Sequence, residues 1–369
     1  MSNDADAQIL ALIEQESEIV MEFQLRQQGR ASMDFLVALT SAMGPLNARW
    51  SKELAEAGVD ASSLPEDIDQ RYAAISTALS KSKAFAASGL LMDFASVEHG
   101  RIARDAYEES RDLLEPELDK LENQGPANLH ADLAFTQPDY HKDVWFHRTE
   151  GGWDGHPQQG FIHGELIHRH YVSKNFPGDI FVQRRRVLQE LPRQDYRRIL
   201  EMGTSSGHFT VALQQTFPQA QITGVDVSLP MLKQALRVAN ENGWNWDLHQ
   251  RAAEDTGFAD ASFDLVASYI IFHEMPQQAI EGVFAEAWRV LEPGGQMLMS
   301  DVTPYAAMDR MAAWRADWMA ANGGEPYWRE AASMDWKAAA EAAGFIDVES
   351  RGIDGAPYPW IVTGTKPHG

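Results

Sequence analysis

The fold is decided by the stretch Arg198-Ile-Leu-Glu-Met-Gly-Thr-Ser-Ser-Gly-His-Phe-Thr210. The apolar pair Ile199 and Leu200 predicts a buried strand, the small residues after Glu201 predict a tight turn, and the apolar spacing beyond the turn predicts a helix. This order brings backbone N–H groups and a helix N-terminus against a nucleotide-like ligand. The next predicted strand ends in Asp226, whose carboxylate can accept both hydroxyls of a ribose. Together these features predict an adenosine-containing cofactor.

Strands and helices alternate along the second half of the chain. Apolar runs bounded by turn residues predict strands near 198–202, 221–226, 246–251, 263–269, 296–301, 345–350 and 358–365. Amphipathic segments between them, such as 229–242 and 277–291, predict helices. Such alternation forms a parallel sheet that is covered on both faces, and ligands bind beyond the carboxyl ends of its strands.

The order of these motifs resembles that of the class I S-adenosylmethionine-dependent methyltransferases, in particular the small-molecule branch that includes ubiquinone, menaquinone and sterol methyltransferases. The motifs are the turn at 201–207, Asp226, the strand that leads to His273, and the Pro-Gly-Gly turn at 293–295. The similarity covers about residues 180–369. It implies S-adenosylmethionine as the cofactor and a Rossmann-like methyltransferase fold, with a seven-stranded, mostly parallel sheet whose last strand is antiparallel.

The resemblance also implies which residues hold the cofactor. The first turn would contact the methionine part, Asp226 the ribose, and Val227 one face of the adenine. The predicted cofactor contacts are Glu201, Gly203, Ser205, Gly207, Asp226, Val227, Ala253, Glu254 and Tyr269. Two positions depart from the family pattern. Ser205 replaces a glycine, which is tolerable if its φ is negative, and Ala252 stands where the family often has an aspartate.

His273 is the predicted catalytic residue. It ends the fourth predicted strand, a position that in this family faces the transferable methyl group. An imidazole has an ordinary pKa of about 6.5, which suits a general base or a group that orients the nucleophile. The alternative is that His273 caps or packs under the following helix. Methyl transfer needs little covalent help from the protein, because alignment and desolvation supply much of the rate.

Two ring-rich segments are predicted to form the substrate pocket. One follows the fifth strand of the predicted sheet, and the other precedes residue 180 and carries many of the chain's histidines. The predicted substrate contacts are His163, His168, Tyr171, Trp314, Trp318, Tyr327 and Trp328. Aromatic and methionine side chains make an adaptable apolar wall, so we predict that the segments meet over the fourth strand and enclose an apolar or aromatic acceptor. Ordinary core packing along one helical face is the alternative.

The histidine-rich segment also raises the question of a metal. His163, Glu165, His168 and His170 could supply imidazole and carboxylate ligands. Their spacing is not the His-Glu-x-x-His of helical zinc hydrolases, and histidines without defined spacing are weak evidence. We therefore predict no metal, and interpret the segment as a pocket wall or an aromatic linker.

The rest of the chain suggests three regions. Residues 1–130 are predicted to be helical, with Ile9 and Ile13 among the apolar positions at helical spacing and Ser63 as a possible N-cap. This region would be a lid, a dimerisation domain or a stabilising appendage. Residues 131–179 would connect it to the cofactor-binding methyltransferase domain at 180–369.

Composition restricts the possible partners. The formal net charge of −23 argues against a nucleic-acid substrate, which requires a positive face. The basic cluster Arg184-Arg185-Arg186 is interpreted as a solvated helix face or as paired with carboxylates. No cysteine is present, so disulfides and thiolate sites are excluded. The chain has no 18-residue apolar run and no secretory signal, so no membrane span and a cytoplasmic location are expected.

These observations lead to one main functional hypothesis. The chain is predicted to transfer a methyl group from S-adenosylmethionine to a small, apolar or aromatic acceptor through oxygen, carbon or nitrogen. One alternative is an amino-group or protein methyltransferase whose acidic surface attracts a basic substrate. Another is a regulatory protein that binds S-adenosylmethionine without turnover. A homodimer through the N-terminal helices is a further expectation.

Overall fold

An eight-stranded sheet forms the centre of the computed structural model, which describes residues 23–132, 134–173 and 180–368. Its strands are β1 (Asn128–His130), β2 (Arg198–Met202), β3 (Gln221–Asp226), β4 (Asp247–Gln250), β5 (Phe263–Tyr269), β6 (Leu291–Asp301), β7 (Ile346–Gly352) and β8 (Trp360–Thr365). Their order is β1-β4-β3-β2-β5-β6-β8-β7. β8 is antiparallel to β6 and β7, and the other pairs are parallel. The α/β class and the antiparallel last strand are confirmed.

The predicted number of seven strands was wrong, because β1 adds an eighth at the sheet edge. β1 pairs in parallel with β4, and the backbone N–H of Asn128 donates to the Trp246 carbonyl at 2.9 Å. A strand of three residues is too short for its side-chain alternation to be recognised in the sequence. The expectation that residues up to 130 are all helical is therefore also wrong at its end.

Helices cover both faces of the sheet, as the alternating pattern predicts. They are α6 (Ile180–Leu188), α7 (His208–Thr216), α8 (Leu229–Glu241), α9 (Gln277–Val290), α10 (Arg310–Gly323), α11 (Trp328–Ser333) and α12 (Trp336–Ala343), numbered after the five helices that precede them in the chain and are described below. Because neighbouring residues of a strand point to opposite faces, Leu200 and Val266 lie in one apolar cluster while Ile199 and Leu265 lie in the other.

Four helices make up the described part of the N-terminal region: α1 (Gln27–Glu56), α2 (Ile68–Ala78), α3 (Lys83–Glu109) and α4 (Arg111–Asn123). The segment with Ile9 and Ile13 lies outside the described residues. The N-cap prediction at Ser63 was wrong: Asp67 caps α2, since its side chain accepts from the Gln70 N–H at 2.9 Å. Ser63 instead bonds with Asp60 in the preceding turn. Within the described ranges, no helix is long and apolar enough to cross a bilayer.

The N-terminal helices pack against the rest of the chain at two places. A short helix α5 (Gln159–Phe161) continues as a π-helix at Ile162–Val172, and its apolar residues share a cluster with Met33 and Leu36 of α1. Trp50 of α1 meets Trp314 of α10 edge to face, with ring centroids 6.0 Å apart. The helices are thereby held close to the carboxyl ends of the central strands.

Candidate functional site

A cavity of about 750 Å³ lies at the carboxyl ends of β2, β3 and β5. At this point of the sheet, the strands that follow β2 in the chain change from one side of β2 to the other. This is the place where open α/β sheets bind ligands, and the volume is typical of small-molecule sites. Of the nine predicted cofactor contacts, seven line the cavity: Glu201, Gly203, Ser205, Asp226, Val227, Ala253 and Tyr269. Gly207 and Glu254 do not line it.

The turn after β2 forms one wall of the cavity. The N–H groups of Gly203 and Thr204 donate to the Val225 carbonyl at 2.9 and 3.0 Å, which fixes the turn against β3. Gly207 has φ 89° and immediately precedes helix α7, so its role in the structure is to end the turn. Ser205, which replaces a glycine of the family pattern, adopts φ 50° and so does not meet the condition of a negative φ. A non-glycine residue in this left-handed region carries strain.

Asp226 connects the turn to the next strand. Its carboxylate accepts from the Ser205 N–H at 2.8 Å through one oxygen and from the Ser228 N–H at 2.9 Å through the other. Burial raises the pKa of Asp226 to about 7, although both backbone hydrogen bonds act in the opposite direction. Each oxygen keeps a second lone pair for a further donor.

Glu201 is the other buried carboxyl of this wall. Its Oε2 accepts from the Thr210 hydroxyl at 2.5 Å, whereas Oε1 has no hydrogen-bond partner among the described residues. Burial raises the pKa of Glu201 to about 8. An unpartnered buried carboxyl oxygen beside the cavity is suited to a donor supplied by a ligand.

Glu254 lies outside the cavity for a structural reason. Its Oε1 accepts from the Tyr140 hydroxyl at 2.8 Å, which turns the carboxylate toward the connecting segment. Tyr269 does line the cavity, where its ring stacks on Phe209 and lies under the guanidinium of Arg184, 4.6 Å from the ring centroid.

Of the two interpretations of the basic cluster, the solvated helix face was wrong, and pairing with carboxylates is confirmed for Arg186, which contacts Glu190 and Asp354. Arg184 and Arg185 are buried, and Arg184 lines the cavity. Arg185 donates to the Gln215 side chain at 2.9 Å, and Arg186 donates to Asp354 at 2.9 Å. Arg184 therefore places a positive charge at the wall of the cavity.

His273 is held by an aspartate that the sequence analysis missed. Its Nδ1 lies 2.7 Å from Oδ1 of Asp301, at the end of β6. Asp301 is fixed in turn by the N–H groups of Phe272 and Val302 at 2.6 and 2.7 Å. With Nδ1 bound to the carboxylate, Nε2 is the nitrogen left for a ligand. Burial alone would lower the pKa of His273, but the charge and hydrogen bond of Asp301 raise it to about 9.

Three further ionisable groups lie beside His273. Nδ1 of His147 contacts Oε1 of Glu325 at 2.6 Å, and its Nε2 lies 3.6 Å from Oε1 of Glu274. Nε2 of His273 lies 3.9 Å from Oε2 of Glu325 and 4.0 Å from Oε1 of Glu274. Burial opposes the charge on His147, yet the two glutamates raise its pKa to about 10. Sequence spacing gave no signal for this group, because its members come from separate segments.

The π-helix supplies neutral rings to the cavity. His163, His168 and Tyr171 line it, and burial holds the pKa values of both histidines well below the ordinary range. The other two residues considered as metal ligands have different partners: Glu165 pairs with Arg169 and Gln234, and His170 contacts Asp34 at 3.0 Å. The four side chains considered for a metal do not converge.

Only part of the aromatic segment after β6 reaches the cavity. Trp328 lines it, with its ring centroid 5.3 Å from that of His273. Trp314, Trp318 and Tyr327 do not line it. The first two pack against the N-terminal helices, while the Tyr327 hydroxyl donates to the Tyr140 carbonyl at 3.0 Å. The opposite face of α10 forms the wall instead, through Ala316, Met319, Ala320 and Gly323.

Comparisons with known proteins agree with this geometry. Residues 199–295 match a family model described as a methyltransferase domain. Malonyl-acyl-carrier-protein O-methyltransferase of Legionella pneumophila is 33% identical over 122 residues, which are 32% of this chain and 41% of that protein. The ubiquinone/menaquinone biosynthesis C-methyltransferase of Desulfotalea psychrophila is 31% identical over 109 residues, which are 30% of this chain and 43% of that protein.

Among solved structures, phosphoethanolamine N-methyltransferase 2 of Haemonchus contortus in complex with S-adenosyl-L-methionine superposes with a TM-score of 0.43. The identity is 17%, and the superposition covers 57% of this chain and 60% of that chain. The chain spans less than half the length of the two sequence relatives named above.

The sheet order and the turn after β2 define the class of protein, an α/β protein with a Rossmann-like sheet and a ligand-sized cavity at the strand ends. The comparisons make the assignment more particular: residues 199–295 match a methyltransferase domain, and the sequence relatives named above are methyltransferases. This match agrees with the family resemblance seen in the sequence.

Proposed function

We propose that the chain transfers the methyl group of S-adenosylmethionine to a small, apolar or aromatic acceptor. The observation that carries this proposal is that one cavity joins the cofactor turn to the His273–Asp301 pair and to an apolar wall. The apolar wall includes Met43 and Met92, from α1 and α3, and Met319. Methionines make an adaptable surface for apolar ligands, and their position supports the interpretation of the N-terminal helices as a lid.

The residues present fit the cofactor. The unpartnered Oε1 of Glu201 would accept from the ammonium of the methionine part, and Arg184 would bind its carboxylate. Asp226 would accept the ribose hydroxyls, and Val227 and Ala253 would lie against the adenine. The turn has no room for a side chain at position 203, because an added Cβ would lie 2.7 Å from Cδ1 of Ile271.

The bound cofactor supplies a methyl group made electrophilic by its sulfonium sulfur. For an oxygen acceptor, Nε2 of His273 would take the hydroxyl proton as the oxygen bonds to the methyl carbon, and the carbon–sulfur bond breaks. Asp301 would hold the imidazole in place and stabilise its positive charge. Trp328 and the π-helix would keep water away from the reacting atoms.

An amine acceptor is the second candidate, favoured by the two carboxylates near His273. Oε2 of Glu325 has no hydrogen-bond partner among the described residues and lies 3.9 Å from Nε2 of His273. Oε1 of Glu274 lies 4.0 Å from the same nitrogen. These oxygens can accept from an amino group before it loses its proton. The homodimer, the cytoplasmic location and the absence of a nucleic-acid substrate stay predictions.

The experiment that tests the proposal uses S-adenosylmethionine with a labelled methyl group and fractions of a metabolite extract. We expect label in a small, apolar product that is absent when His273→Ala protein is used. Label in protein bands would favour the protein-methyltransferase alternative. Tight cofactor binding without product from any fraction would favour a regulatory protein.

We expect Gly203→Ala to weaken S-adenosylmethionine binding and to lower the free energy of unfolding by about 1–3 kcal/mol. Gly203 has φ 80°, and an added Cβ would collide with Ile271. Gly243→Ala is the matched control, because Gly243 has φ 67° and its added Cβ would meet nothing within 4 Å. Urea unfolding and titration calorimetry measure both effects. Equal cofactor affinity in the two variants would contradict the proposal that this turn contacts the cofactor.

We expect Trp328→Ala to raise the KM for the acceptor, because it removes an apolar wall next to His273, while the Kd for S-adenosylmethionine stays near the wild-type value. Trp318→Ala is the control, since Trp318 packs on Phe85 outside the cavity and should affect stability alone. Steady-state kinetics with the identified acceptor check both variants. A normal KM in Trp328→Ala together with a raised KM in Trp318→Ala would show that Trp318, and not Trp328, contacts the acceptor.

A further inference from the structure

A second cluster of ionisable side chains lies at the sheet edge, outside the cavity. It consists of His130 on β1 and of Asp247 and His249 on β4. In the register of these parallel strands, His130 is the partner of His249, and Asn128 is the partner of Asp247. Because residues two apart in a strand share a face, and cross-strand partners share it too, the three side chains project from one face of the sheet.

The three side chains are close enough to act as one site. Nε2 of His130 lies 2.8 Å from Oδ1 of Asp247, and Nε2 of His249 lies 2.9 Å from Oδ2. The two imidazoles are stacked, with centroids 4.3 Å apart and planes 13° apart. One ligand atom from each residue lies within 4.8 Å of the other two. Small side-chain rotations would therefore let all three atoms point at a common centre.

We propose that His130, Asp247 and His249 bind a divalent transition-metal ion of the zinc class. Two imidazole nitrogens and one carboxylate oxygen suit zinc or nickel, whereas magnesium and calcium prefer oxygen ligands alone. The side chain of His130 is 55% exposed and that of Asp247 is 31% exposed, so the site opens to solvent. Water would complete the coordination sphere.

The ion would link the edge strand to the rest of the sheet. β1 follows α4 directly in the chain, so it stands at the junction between the N-terminal helices and the sheet. In the described part of the chain, β1 has β4 as its single neighbouring strand. A metal bound across these two strands stabilises the folded state, because it binds a site that the unfolded chain lacks. None of the three ligands lines the cofactor cavity.

The test uses protein without a polyhistidine tag, freed of metal with a chelator and titrated with zinc chloride in a calorimeter. We expect the wild-type protein to bind one equivalent of zinc that the His130→Ala/His249→Ala variant lacks. His130→Ala alone should bind this equivalent about tenfold more weakly or worse. His130 is more than half exposed, so this single substitution leaves the fold intact. Magnesium chloride should give no comparable binding.

His170→Ala is the matched control. Nε2 of His170 contacts Oδ1 of Asp34 at 3.0 Å, which is a similar surface pair without a second histidine. This variant should bind zinc as the wild type does, and all variants should keep wild-type affinity for S-adenosylmethionine. The midpoint of thermal unfolding should rise with zinc in the wild type and not in the double variant. Equal zinc stoichiometry and affinity in the wild type and the double variant would overturn the proposal.

Discussion

We expect His273→Ala to lower kcat by about 100-fold or more, the effect of losing a general base. The affinity for S-adenosylmethionine should stay close to the wild-type value, because His273 is not among the proposed cofactor contacts. Transfer of a labelled methyl group measures kcat, and calorimetry measures the cofactor affinity. Normal turnover in this variant would make His273 a structural residue and would exclude an oxygen acceptor that needs this base.

The pH profile separates a base from a structural histidine. Asp301 raises the pKa of His273 to about 9, so the imidazole of the free enzyme is protonated at pH 7. Since kcat/KM reports groups of the free enzyme, it should rise with pH, reach half its maximum near pH 9 and level off above that. Asp301→Asn removes the negative charge, so the rise should move to lower pH. A profile that Asp301→Asn leaves unchanged would contradict the pairing.

We expect Asp226→Ala to weaken S-adenosylmethionine binding by about 1.5–3 kcal/mol, the contribution of hydrogen bonds to a charged group. The variant loses the acceptor for the ribose and also the acceptor for the N–H groups of Ser205 and Ser228, so the turn itself loosens. Calorimetry should be done above pH 7, because burial raises the pKa of Asp226 to about 7 and the ionised form is the stronger acceptor.

Asp255→Ala is the control for this variant. This substitution also removes one negative charge, but Asp255 is exposed and does not line the cavity. The affinity for the cofactor should therefore not change. Wild-type affinity in Asp226→Ala would count decisively against the assignment of the ribose site. Equal losses in both variants would point to the net charge of the protein instead of a contact.

The central sheet could be predicted because its signals are local. The central strands β2, β3 and β5 are mostly buried, and the turn after β2 has its small residues in sequence, so both the strand order in the chain and Asp226 were recognisable. β1 was not predicted, because three residues are too few to show the alternation of apolar and polar side chains that indicates a strand. The conformation of Ser205 could not be predicted either, since its φ of 50° is set by the close packing of the turn against β3.

The acceptor side of the cavity could be predicted only in part, because it is built from distant segments. His273 was predicted to end a strand, but β5 ends at Tyr269 and His273 lies in a one-turn 3-10 helix at Phe272–Glu274. Asp301 ends the neighbouring strand β6 and meets His273 only in the folded sheet. The helical spacing of Trp314 and Trp318 correctly placed them on one face of a helix. The spacing could not show that this face packs against the N-terminal helices. As a result, Met319 and Trp328 line the cavity in place of the two tryptophans.

A crystal structure with S-adenosylhomocysteine, the product of methyl transfer, is the most direct test of this account. We predict that the ribose hydroxyls bond to Asp226, that the amino group lies at Glu201, and that the sulfur atom faces Nε2 of His273 across the space next to Trp328. Density for the ligand at another site, or with its sulfur directed away from His273, would contradict the account.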